Sequence, residues 1–292
     1  MKMKCTSYKI GDYIISIDYN NFKMKEPIHI KTFKFDQHLN TARVYYIKLL
    51  EFNNETIESA TFFENELGLK VYNFNEEYIL DYKDEERTFV KRVIYNRIKK
   101  EAKVYIYSKK IAKAGHHFIE STQFQMLFML ILAENNSFLL HSNLIKLDNN
   151  YGICFCGKSG NGKTTLSKLF TVYNKDCVLT DETVLISFFE NKVFAAGTPW
   201  KGSGADYYKN EQIELKKIYL INHGKYNYCE EINNSTAVKE LALQTFPYFW
   251  DSKLLYKNLN KVNKILGSIC IKKLFFYPDV NIIKFIKGDT NV

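Results

Sequence analysis

Arginine is nearly missing from this chain. The 292 residues hold Arg43, Arg87, Arg92 and Arg97 and none after that. Any cation that the rest of the chain brings to a site must therefore be lysine, which cannot copy the two-pronged contact of a guanidinium with a carboxylate or phosphate. Cysteine is sparse and scattered: Cys5, Cys154, Cys156, Cys177, Cys229 and Cys270. No C-x-x-C pair and no zinc-ligand spacing occurs, which excludes a zinc-ribbon or zinc-finger reading. With no secretory signal in the sequence, reduced thiols in a cytoplasmic protein are the expectation. Long apolar runs are lacking too. The longest, Met126 to Ala133, falls far short of the roughly 20 residues that span a bilayer. It fits a buried helix, and no membrane partner is expected.

What is present has the makings of a core. Hydrophobic residues make up 46% and charged residues 25%, a balance ordinary for a globular domain. The formal net charge is +9; an anionic partner such as a nucleotide would suit it, but with Lys, Asn, Ile, Tyr and Phe abundant throughout, compositional drift is the favoured reading. The lysines are not gathered into one block, and no nucleic-acid signature or fixed-period repeat is found, so no nucleic-acid partner is expected.

Residues 1–115 read as a β-rich region. Tyr13 to Tyr19, Ala42 to Leu49, Val71 to Phe74, Tyr78 to Tyr82, Arg87 to Tyr95 and Lys103 to Tyr107 have strand composition, with polar turns between them that predict an antiparallel meander. Residues 116–292 read differently. A helix is predicted from His117 to Ala133, with Phe124, Leu127, Phe128 and Ile131 on one stripe, and His116 and His117 at its surface start. Ser137 to Leu147 then reads as a strand that carries His141.

Next comes the most specific signal in the chain. Ile153 to Cys156 is an apolar run of strand length. Gly157-Lys158-Ser159-Gly160-Asn161-Gly162-Lys163-Thr164-Thr165 follows it, and Leu166, Leu169 and Phe170 are spaced for a helix packed on a sheet. Gly157 and Gly162-Lys163-Thr164 fit G-x-x-x-x-G-K-[ST], a phosphate-binding loop. Glycines let successive N–H groups turn toward phosphate oxygens, and the helix adds the positive end of its dipole. Lys163 is expected on the outer phosphates and the Thr164 hydroxyl on Mg²⁺, with ATP as the nucleotide.

Cys177 to Thr180 reads as a short buried strand, which puts Asp181 and Glu182 at its carboxyl end beside that loop, where open α/β sheets meet their ligands. One carboxylate there can hold Mg²⁺ through water, and the other can deprotonate an attacking hydroxyl. Val184 to Phe189 and Val193 to Ala196 predict a hairpin around Glu190-Asn191-Lys192, and Gly197 to Gly204 a flexible loop near the same site.

The order Leu140-His141-Ser142, Gly157 to Thr165, Thr180-Asp181-Glu182 and Gly197-Thr198-Pro199-Trp200 resembles the HPr kinase/phosphorylase C-terminal-like family, and more narrowly its small HPr-kinase-related members. The likeness continues through Phe246 to Asp251 and Leu274 to Asp279. The resemblance implies a mixed sheet with a P-loop, similar to the phosphoenolpyruvate carboxykinase core. It also implies that Asp181 activates an acceptor serine hydroxyl, with His141 behind it. The chain departs from the pattern twice. Asp181-Glu182 stands where relatives commonly carry paired aspartates, and the later glutamate-containing signature loop is not recognisable around Gly197 to Gly204. Neither the phosphorylase reaction nor HPr as substrate is therefore implied.

The expectation is thus an α/β P-loop kinase domain at 116–292, preceded by the β-rich region. It transfers the γ-phosphoryl group of ATP, with Mg²⁺, to a serine-type hydroxyl of a protein, peptide or small molecule. The alternative is a nucleotide-binding module that hydrolyses slowly and acts by conformational change. The acid pair separates the two, because a pure binding module needs no base aimed at an acceptor. A carboxykinase-like lyase needs a second metal site and an arginine for its substrate, and neither is found. The oligomeric state is left open, a homo-oligomer included.

Overall fold

The computed structural model describes residues 5–36, 43–53, 62–66, 68–74, 76–83, 89–114, 117–202 and 207–290. Ala42, Arg87, His116 and Gly204, named above, lie outside them. The chain divides into two compact units, Met1–Glu134 and Asn135–Val292.

In the first unit, β1 (Cys5–Ile10), β2 (Tyr13–Asp18), the single turn α1 (Ile28–Lys31) and β3 (Val44–Glu51) come first. β4 (Phe63–Glu64), β5 (Leu69–Phe74), β6 (Glu77–Tyr82), β7 (Val90–Asn96) and β8 (Glu101–Ile106) follow, then α2 (Ser108–Ala114) and α3 (Thr122–Ala133). The strands form one sheet in the order β1-β2-β3-β8-β7-β6-β5-β4. β4 to β8 are the antiparallel meander that the alternation predicts. In β8, Ala102, Val104 and Ile106 are buried while Glu101 and Lys103 are exposed. β2 with β3 and β3 with β8 pair in parallel instead, a direction that alternation does not encode.

The helix predicted from His117 is interrupted. A 3-10 turn at Phe118–Glu120 precedes α3, because Ser121 Oγ accepts the Phe124 N–H at 3.1 Å and restarts the helix. His117, expected at the surface, is buried. Its Nδ1 accepts the Ile119 N–H at 3.3 Å, and its Nε2 lies 3.0 Å from the Tyr19 hydroxyl. Burial lowers its pKa to about 4.

The second unit contains β9 (Ser137–Lys146), β10 (Tyr151–Cys156), α4 (Lys163–Tyr173), β11 (Val178–Thr180), β12 (Thr183–Phe189), β13 (Lys192–Gly197) and β14 (Gln212–His223). β15 (Tyr228–Glu231), α5 (Asn234–Ala242), α6 (Ser252–Leu266), β16 (Cys270–Phe276) and α7 (Asn281–Asp289) complete it. The predicted hairpin is β12–β13, turned by Glu190 and Asn191 with φ of +47° and +62°, the two-residue left-handed turn that matches strand twist.

β9 is shared among three partners, with β11 also pairing at Leu144 and Ile145. Ser137–His141 pairs with β12, and Ser142–Lys146 pairs with β10. β14 begins against β13 and then runs parallel to β10 on one side and β16 on the other. The strands β9, β12, β13, β14 and β10 therefore close a hydrogen-bonded circuit.

Both faces of this sheet are covered. Cys154 and Cys156 of β10 pack with Ala237 and Leu241 of α5 and Val262 and Ile265 of α6. Ile153 and Phe155 pack with Leu166 and Phe170 of α4 and Ile282 and Ile286 of α7. Burial on both sides is why β10 reads as a continuous apolar run.

The last helix is tied down by charge. The Asp289 carboxylate accepts from Lys217 at 2.8 Å, Tyr219 at 2.7 Å and Lys272 at 3.0 Å. Burial alone would raise its pKa, but these bonds hold it at about 2. A folded pKa below the unfolded value of about 3.9 gives stability that is full above that value and lost as pH falls toward 2. Asp289→Asn should therefore be less stable than wild type at pH 6, and the gap should close between about pH 4 and pH 2. Urea midpoints at stepped pH would check this, and a gap that stays constant would refute it.

Candidate active site

The cleft at the carboxyl end of β10 begins with two glycines. Gly160 and Gly162 take φ of +87° and +97°, the left-handed region that glycine enters without strain. Gly162 has a second reason to be glycine: a Cβ there would lie 2.6 Å from Phe276 Cζ. Gly162 is also the residue before α4, so it supplies no capping side chain, and the first turn of α4 holds no acidic residue. The helix start is thus left without the acceptors that usually serve it.

The start of α4 is fixed to the sheet by Asn143, a residue that the motif does not mention. Asn143 is fully buried on β9. Its Oδ1 accepts the Phe155 N–H at 3.1 Å, and its Nδ2 donates to Lys163 O at 3.0 Å and Ser167 Oγ at 2.9 Å. The sequence signal was an amide inside an apolar strand, where a polar group must be fully bonded. Lys163 is itself buried, with Nζ donating to Gly157 O at 2.6 Å. Burial lowers the ammonium's pKa, while Cys156 and the Glu182 carboxylate oppose the shift.

Asp181 and Glu182 form the two-residue turn between β11 and β12. β10 and β11 both pair antiparallel to β9, so they run in the same direction with β9 between them. That arrangement brings the acid pair beside the β10–α4 loop. Asp181 is 3% exposed, and its Oδ1 lies 3.4 Å from the Gly202 N–H. Glu182 faces Gly202 as well, with Oε2 2.8 Å from where a Cβ on that residue would lie, and its Oε1 is 3.3 Å from His141 Nδ1. His141 pairs with Thr183 of β12, one residue before β10 joins β9 at Ser142, and its own N–H donates to Gln244 O at 2.7 Å.

One cleft of about 380 Å³ is lined by His141, Ser159, Gly160, Gly162, Lys163, Thr164, Thr165, Asp181, Glu182 and Gly202. Gly157, Lys158 and Asn161 line a second cavity of about 250 Å³ with Asn222, Glu240, Gln244 and Lys273. Lys158 and Lys201, the lysines nearest in sequence to serve as a second cation, do not line the first cleft. The loop expected to be flexible at Gly197 is packed in its first half: Thr198 and Trp200 are buried, and Thr198 Oγ1 donates to Thr183 O at 2.7 Å.

Among the described residues no group of three or more His, Cys, Asp or Glu could cage a metal. Thr164, Asp181 and Glu182 do share the cleft. A hydroxyl and two carboxylates are hard oxygen donors of the kind that hold Mg²⁺ together with phosphate and water. This donor set fits Mg²⁺.

His141 gives a direct probe of this geometry. Burial lowers its pKa, the Lys163 charge lowers it further, and the Glu182 carboxylate opposes both. Glu182→Gln removes the opposing charge, so the pKa of His141 should fall below its wild-type value. A proton NMR titration of the ring would show this, and an unchanged or higher value would contradict the pairing.

No helix among the described residues is long and apolar enough to cross a membrane. No family model and no curated protein matches the chain. Among solved structures, the chain is similar to the Hpr(Ser) kinase/phosphatase from Coxiella burnetii, at 13% identity and a TM-score of 0.28, over 51% of this chain and 91% of that one. A score that low assigns no activity, and the cleft must be read from its own residues.

Proposed function

We propose that this cleft binds Mg²⁺·ATP and transfers the γ-phosphoryl group to a serine-type hydroxyl of a protein, peptide or small molecule. The observation that carries the reading is one cleft holding both the uncapped start of α4, with Lys163 and Thr164, and the carboxylates of Asp181 and Glu182. The helix start and the loop N–H groups suit phosphate oxygens. Lys163 exchanges the Gly157 carbonyl for a phosphate oxygen. Thr164 and Glu182 hold the Mg²⁺, which neutralises charge on the phosphates when bound. Asp181 accepts the proton of the acceptor hydroxyl as its oxygen bonds to the γ-phosphorus, and the bond from that phosphorus to ADP breaks. His141 keeps Glu182 in place.

The buried acid beside the loop favours transfer over slow hydrolysis alone, since nucleotide binding by itself needs no base. Incubation with Mg²⁺·ATP and candidate acceptors, followed by mass spectrometry, tests this. One phosphate gained on a serine-type hydroxyl is the expected result. Nucleotide turnover to ADP with no acceptor modified, across proteins, peptides and small alcohols, would favour the slow-ATPase reading. Absence of nucleotide binding in calorimetry would defeat both.

A further inference from the structure

We infer that His223, at the carboxyl end of β14, is a positioning residue that holds the crest of the β10–α4 loop in its nucleotide-binding shape; this rests on the nucleotide reading of that loop. The crest is otherwise thinly supported. Lys158, Ser159 and Gly160 are exposed, and a Cβ built on Gly160 would meet nothing within 4 Å. No packing therefore fixes that residue, and a left-handed glycine has much backbone freedom to lose on ordering.

His223 supplies the missing support. Its Nε2 lies 2.9 Å from Gly160 O. A carbonyl oxygen only accepts, so Nε2 carries the proton and donates. The imidazole is in turn stacked on Phe276, with centroids 6.1 Å apart and planes at 30°. Phe276 is buried, and it occupies the space into which a Cβ on Gly162 would project. Gly160 and Gly162, the two left-handed residues of the loop, are thus braced by one column, imidazole on phenyl. A second clip, Asn161 Nδ2 to Ile221 O at 2.8 Å, reaches the same strand. His223 does not line the cleft of Lys163 and Asp181, so it acts through the loop and not on the reacting atoms.

A loop that needs the same shape in the ground state and the transition state loses affinity rather than chemistry when its support is removed. Two variants divide the column. His223→Phe keeps a ring to stack on Phe276 and deletes the donor, whereas His223→Gln keeps an N–H donor and deletes the ring. His223→Phe and His223→Ala should raise the KM for Mg²⁺·ATP about three- to tenfold, the change expected for one neutral hydrogen bond. Their kcat should stay within about twofold of wild type, and His223→Gln should recover most of the lost affinity.

A second readout needs no nucleotide. Amide hydrogen exchange over residues 159–162 should quicken in His223→Phe and His223→Ala, while residues 166–170 inside α4 stay protected. If wild type binds no nucleotide but the exchange pattern holds, the proposed function fails and the brace stands. If His223→Phe exchanges and binds like wild type, the brace is overturned whatever the nucleotide result. A fall in kcat with KM unchanged would also overturn it, because that pattern belongs to a group touching the reaction.

Discussion

Lys163→Ala is expected to lose about 10²–10³-fold in kcat/KM for phosphoryl transfer, or roughly 3–4 kcal/mol of transition-state stabilisation. Among the described residues no other lysine lines the cleft, and the chain has no arginine after Arg97 to take its place. The variant should nonetheless stay folded. Deleting Lys163 removes a desolvated ammonium, which favours the folded state. It also leaves Gly157 O without the Nζ bond at 2.6 Å, which costs about 1 kcal/mol. The two effects oppose each other, so the melting temperature should move by only a few degrees while activity collapses. Calorimetry and turnover measured together separate the cases. Equal Mg²⁺·ATP affinity and equal turnover in wild type and Lys163→Ala would remove the nucleotide reading of the loop altogether.

What the sequence made legible was local. The strand–loop–helix at Ile153 to Phe170 could be read because its glycines, its lysine and its apolar spacing lie within one short stretch. The structure shows Ile153, Cys154, Leu166 and Phe170 buried as that spacing requires. The position of Asp181 and Glu182 could be read because β11 is short and buried and returns beside the loop. Pairing direction and pairing partner could not be read. Alternation says which side chains share a face, not which strand lies alongside. The parallel pairs β2–β3 and β3–β8 and the sharing of β9 among β10, β11 and β12 went unforeseen for that reason.

The residues that support the site were missed on the same ground. Asn143 reaches Ser167, 24 positions on, and His223 reaches Gly160 across 63 positions. His117 was misplaced because a polar residue before a helix usually caps it in solvent. Here the side chain does cap the following 3-10 turn, but inside the unit with Tyr19 as its partner.

Asp181→Asn is expected to lower phosphoryl transfer by roughly 10²–10⁴-fold, the range for losing a general base, while nucleotide affinity stays within about tenfold. The two acids are neighbours in a turn and both face Gly202, but they differ in exposure and in partner. Asp181 is buried with its Oδ1 toward the Gly202 N–H, and Glu182 reaches His141 from a more exposed position. Gly202 closes tightly over the pair, since a Cβ there would lie 2.8 Å from Glu182 Oε2. A base sheltered in this way keeps water from competing with the acceptor for the phosphoryl group. Glu182 has the longer side chain and the wetter position, which suits a metal contact through water. Asparagine keeps the shape of Asp181 but cannot accept a proton, so the loss should fall on kcat. Glu182→Gln should instead weaken apparent Mg²⁺ affinity and recover in part with excess metal. Rates measured across a Mg²⁺ series for both variants decide the matter. If Asp181→Asn transfers phosphate at the wild-type rate while Glu182→Gln is inactive at every metal concentration, the roles of the two carboxylates are reversed.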